Sequence, residues 1–196
     1  MVVWYPFPFP RTADMNVHCV ANYSLWQAIG EELCRTEHDG NNRTFNAHTK
    51  AVPHALFQEL AECLNLRVSE NLFDCLVFEH FGDDRSVIHP HYHTRDAYEG
   101  RLQDGITSKV DMDLRGRRID IAIAAVCLQK TIFTVKENGN GLERYEPVIG
   151  GHTFLEDFHV VGTGDIVIVD CGDGWYRPRL FRETPWHMAP QGDYRI

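Results

Sequence analysis

The chain has 196 residues, enough for one well-packed domain but not for two independent cores. Its 43% hydrophobic and 24% charged content is that of an ordinary globular protein, and no apolar run nears the length of about 20 residues that a membrane helix needs, so no membrane partner is expected. With 28 acidic against 19 basic residues and a formal net charge of −9, it gains little general attraction to nucleic acid or anionic lipid. A nucleic-acid role would need a local basic patch. The densest is Arg115, Arg117 and Arg118, with Arg177, Arg179 and Arg182 next; each reads first as solvated surface. Six cysteines, Cys19, Cys34, Cys63, Cys75, Cys127 and Cys171, stand singly without a C-x-x-C pair, which suits reduced core thiols. The apolar start lacks a basic n-region and is broken by Pro6, Pro8 and Pro10, so it does not read as a signal peptide. The expected location is intracellular, in the cytoplasm.

In chain order, the first ten residues read as a proline-rich extended arm whose Trp4, Tyr5, Phe7 and Phe9 pack on the body or form a stacking lid over a substrate. Ser24 with Gln27 fits a capping box, and Leu25, Trp26, Ile29 and Leu33 give a helical apolar face to about Arg35. Residues 36–44 are loop. A second helix is predicted from Pro53 to about Asn65, with Leu56, Leu60, Ala61 and Leu64 on one side. From Leu72 to Phe81 the composition is that of a strand, followed by a turn at Gly82. Arg101 to Arg118 is polar with weak periodicity and reads as a long loop. Ile119 to Leu128 is almost continuously apolar and is predicted as a central strand. Further strands are expected at Thr131 to Lys136, His152 to Val161 and Asp165 to Asp170, with a hairpin turn at Asn138 to Gly141.

The densest chemistry lies in Val87 to Asp96, which holds His89, His91 and His93 at alternate positions. On a strand all three imidazoles would project to one side, and a His-x-His pair delivers two nitrogens to one metal ion. Either His89 with His91 or His91 with His93 would serve. A distant third ligand is His187, beyond the strand that starts at Asp165, and Arg195 follows it.

This order of features resembles the AlkB-like branch of the iron(II)- and 2-oxoglutarate-dependent dioxygenases, from about Val52 to the C-terminus. The helix from Pro53, the segment from Asp74 to Asp84, the histidine stretch, Ile121 to Leu128, Thr131 to Lys136, the strand after Gly164, His187 and Arg195 fall in that family's order. The resemblance implies an α+β domain whose core is a double-stranded β-helix, or jelly roll, buttressed by N-terminal helices. Residues 1–50 would be an arm and helix, and residues 51–196 the dioxygenase-like domain. It also implies iron(II) held by His91, His93 or Asp96, and His187, with 2-oxoglutarate bound by Arg195 near Glu79 and Phe81. The reaction would be oxidative removal of N-methyl groups, and the partner a methylated single-stranded nucleic acid.

Four positions depart from that pattern. His93 stands where the family has an aspartate, so Asp96 would have to substitute. Glu79 and Phe81 stand where it has asparagine and tyrosine. A second arginine expected after Arg195 would lie beyond Ile196, as in a chain that stops before the last strand or a piece of a larger, viral polyprotein. Two other readings follow: a jelly-roll module that kept the fold without the chemistry, serving in binding or structure, and a cupin-like metalloenzyme using His91, His93 and His187.

Overall fold

The computed structural model describes residues 2–3, 24–36, 51–83, 86, 88–107, 114–137, 141–155, 160–161 and 165–178. Among the described residues five α-helices precede the main sheet: α1 (Ser24–Thr36), α2 (Ala51–Arg67), α3 (Glu70–Phe81), α4 (Arg95–Ile106) and α5 (Arg118–Leu128). A short 3-10 turn, Pro90–Tyr92, leads into α4. The strands are β1 (Val2–Val3), β2 (Ile132–Lys136), β3 (Leu142–Tyr145), β4 (His152–Leu155), β5 (Val160–Val161), β6 (Ile166–Gly172) and β7 (Trp175–Pro178). The expected α+β class is what these residues form.

The sheet differs from the expectation. It is an open, five-stranded mixed sheet in the order β4-β3-β2-β6-β7, not a barrel, and β1 pairs separately with β5. β2 and β6 run parallel, Ile132 opposite Ile166, and the other main-sheet pairs are antiparallel. The predicted hairpin from β2 to β3 forms, with Val135 opposite Leu142. β7 is covered by α1, which also packs on β6, whereas β4 has β3 as its one strand neighbour among the described residues. The jelly-roll expectation loses two of its strands because both segments are helices.

The first is α3, predicted as strand from Leu72. Ser69 caps it, its hydroxyl accepting from the backbone N–H of Leu72 at 3.2 Å, and Gly82 ends it at φ +70° with its N–H bonded to Phe78 O. The second is α5, predicted as a central strand. Its residues from Ile119 to Cys127 are all buried and, Asp120 apart, apolar, so the stretch shows no amphipathic period to distinguish it from a buried strand. The predicted long loop 101–118 also divides: its start continues α4, which Thr94 caps by accepting from Ala97 N–H at 3.1 Å.

One hydrophobic cluster joins the helices to the sheet, running from Leu25, Trp26 and Ile29 of α1 through Leu56, Phe57 and Leu60 of α2 and the apolar residues of α5 from Ile119 to Cys127 to Ile132, Ile166 and Ile168. Trp26 lies against Phe57 with ring centroids 5.0 Å apart and donates its indole N–H to Leu114 O at 2.7 Å, so this large ring is buried without an orphaned donor. Gly105 belongs to the same contact. A Cβ built there would sit 2.6 Å from Phe57 Cδ2, too close for any larger residue without movement.

Candidate functional site

The histidine stretch does not extend as a strand. Pro90 restricts His89 to φ −60° and ψ 139°, and the chain then winds into the 3-10 turn. Residues two apart in such a turn point about 240° apart rather than the same way. The His89 and His91 rings stack on each other, centroids 4.1 Å apart, while exposed His93 brings Nε2 to 3.1 Å from Ile88 O. Asp96 is exposed in the first turn of α4, where its carboxylate favours the helix N-terminus and lies 3.5 Å from Arg95 Nη2. The expectation that these imidazoles share one strand face is therefore corrected.

The two proposed cosubstrate contacts also lie on a helix. Glu79 accepts the backbone N–H of Gly150 at 3.1 Å, and the Phe81 ring packs on Tyr92 at 5.7 Å between centroids. His187, Arg195, Arg179, Arg182, the N-terminal aromatics Trp4 to Phe9, and His159 lie outside the described residues. Among the described residues no group of three His, Cys, Asp or Glu side chains is placed to hold a metal ion.

What the fold does assemble is a polar knot that the loop assignment missed. The carboxylate of Asp120, fully buried on α5, accepts four hydrogen bonds. Arg101 Nη1 at 2.6 Å and Tyr98 OH at 2.9 Å reach Oδ1; Tyr92 OH at 2.9 Å and the Arg117 backbone N–H at 2.7 Å reach Oδ2. Arg101 also donates to Arg115 O and lies over the rings of Trp26, Tyr92 and Tyr98. Burial first, and then the Asp120 charge, push the Tyr92 and Tyr98 hydroxyls well above their usual range, so both stay protonated donors. With every acceptor site filled this is a structural centre. Arg115 and Arg117, counted in the basic patch, contribute backbone groups to it.

A second cluster stands at the β4 edge. Glu143, buried on β3, accepts from Arg118 Nη2 at 2.8 Å and from Tyr145 OH at 2.6 Å, and faces His152 Nε2 at 3.1 Å. The His152 ring stacks on Tyr145 at 4.5 Å and on His80 of α3 at 5.4 Å. Alternation along β3 puts Glu143 and Tyr145 on one face, a signal the sequence held. His80 could not be added to them without knowing that α3 is a helix.

At the opposite edge, Ser24 opens α1 against the β6–β7 hairpin. Its hydroxyl donates to Gly174 O at 3.3 Å and accepts the Tyr176 N–H at 3.1 Å, two partners flanking Trp175. Gln27, the other member of the predicted capping box, donates its side-chain amide to Glu31. No family model, curated protein or solved structure matches the chain.

Proposed function

We propose that this chain is a binding or structural module whose scaffold resembles the frame of a hydrolase, with no histidine on the hairpin that faces the helix N-terminus. The observation that carries this reading is the junction of Ser24 with the β6–β7 hairpin. The N-terminus of a buried helix is where Cys–His hydrolases hold their nucleophile, because the helix dipole favours the anion, and an adjoining element supplies an imidazole to take the proton. Here the helix position carries serine, a far weaker acid than cysteine, which needs a base to react. The residue between its two backbone partners is Trp175, whose indole has no basic nitrogen, and β6 and β7 contain no histidine. His152 and the His80 ring stacked on it stand at the opposite edge of the sheet. The Ser24 hydroxyl thus fastens α1 to the sheet.

The competing reading is the AlkB-like iron(II)/2-oxoglutarate dioxygenase on a jelly roll, acting on methylated single-stranded nucleic acid, or its cupin-like three-histidine variant. It rests on three imidazoles within one surface turn, with His187 and Arg195 as the further ligand and cosubstrate residue.

One set of measurements separates these readings. The protein is loaded anaerobically with iron(II), assayed for succinate release from 2-oxoglutarate, and treated with a fluorophosphonate probe that labels activated serines. The module reading expects no stoichiometric iron, no succinate and no label on Ser24. One equivalent of iron lost in His187→Ala, with succinate release lost in Arg195→Ala, would overturn it in favour of the dioxygenase. Covalent labelling that disappears in Ser24→Ala would overturn it in favour of a working hydrolase.

A further inference from the structure

We propose that the corner where α3 meets the β3–β4 edge is an acid-opened latch, in which protonation of His80 releases the end of α3 and the 146–151 loop from the sheet. The corner is tied at two places. The His80 ring stacks on His152 at 5.4 Å and on Tyr145 at 6.4 Å, and Glu79, its neighbour in α3, accepts the Gly150 N–H from the loop at 3.1 Å. These contacts help to cover Tyr145, which is only 1% exposed.

His80 Nε2 is buried and has no hydrogen-bond partner among the described residues. A neutral imidazole tolerates this by leaving Nε2 as an unprotonated acceptor, whereas an imidazolium must donate from both nitrogens. Protonation would therefore bury an unanswered N–H and a charge together.

The groups facing His80 do not supply enough compensation. Glu143, across on β3, favours the charge but already answers Arg118, Tyr145 and His152. Arg118 of α5 and His152 of β4 both oppose it. Glu79 favours it, as does the C-terminal end of α3, yet one Glu79 oxygen is held by Gly150. Burial is the largest influence, and the His80 pKa lies below the ordinary 6.5.

A base whose pKa is lower in the folded state binds more protons when the corner opens. The stabilisation is complete above pH 6.5 and declines as pH falls from there toward the lower folded value, with opening increasing by up to about tenfold per pH unit. Local opening of this kind leaves the rest of the fold in place.

Hydrogen exchange, corrected for its intrinsic pH dependence, tests the latch at pH 7.5 and 5.0. The expected result is a loss of protection in residues 76–82 and 146–151 of the wild type at pH 5.0, of up to about thirtyfold by linkage from 6.5, with α5 unchanged. His80→Phe keeps a stacked ring without a proton and should protect both segments equally at the two pH values. An equal acid loss in His80→Phe, or none in the wild type, would overturn the latch. Should that variant not fold, the NMR titration of His80 in the wild type decides: a midpoint below 6.5 is expected, and one at or above 6.5 would overturn it.

Discussion

Asp120 shows how much a single residue carries here. It is a carboxylate with no exposure, in a helix otherwise apolar on all sides, and it is tolerated because its four hydrogen bonds and the Arg101 charge replace the water it lost. Removing one partner leaves the other charge buried without its counter-charge. Asp120→Asn keeps the shape but strands the Arg101 guanidinium, and should cost about 3–5 kcal/mol in chemical denaturation. A loss below about 1 kcal/mol would mean that the pair contributes little. Sequence reading placed Asp120 in a strand and Arg101 in a loop, since 19 positions separate them and nothing local marks a buried ion pair. The arginine-rich run beside it was visible, but its structural use was not. The histidine stretch has the reverse history. Its residues were conspicuous, and their local backbone removed the convergence that alternation on a strand would have given.

Helix and strand were confused where the apolar content was highest. For α3 the deciding signals were at its ends: Ser69 accepting from Leu72 N–H, and Gly82 at φ +70° and ψ −156°. Ser69→Ala should therefore destabilise the fold by about 1 kcal/mol through the lost cap. Gly82→Ala should cost about 1–3 kcal/mol, because that backbone region is open to glycine almost alone. Thermal or urea unfolding reads both, and an unchanged Gly82→Ala protein would show that this turn relaxes without cost. α1 and α2, whose apolar residues repeat with a clear helical period, were legible from the start, as were β2, the β2–β3 hairpin and β6. Amphipathic elements reveal their period because one side must meet water. From Ile119 to Cys127 α5 meets none, so its run of Ile, Ala and Val was equally compatible with a central strand.

Across the whole molecule, one hydrophobic cluster links α1 to α5 with the inner strands, so helices and sheet should lose structure together. Trp26, buried between α1 and α2, reports the helical side in a variant whose Trp4, Trp175 and Trp186 are replaced by Phe, while far-UV circular dichroism reports helix and strand content jointly. Their thermal transitions should coincide, and two separated midpoints would show that the helices and the sheet unfold as distinct units. The sequence by itself determined the α+β composition, the amphipathic helices, the hairpin, the Asp165–Asp170 core strand and the lack of a membrane-length apolar helix, because each is written in local period, turn chemistry or composition. Only the tertiary structure decided that the sheet is open, that β2 runs beside β6, and that Ser24, Asp120 and His80 meet partners distant in the chain. Those outcomes depend on which buried faces pack together, and a contact between residues 152 positions apart, such as Ser24 with Tyr176, leaves no local trace in the chain.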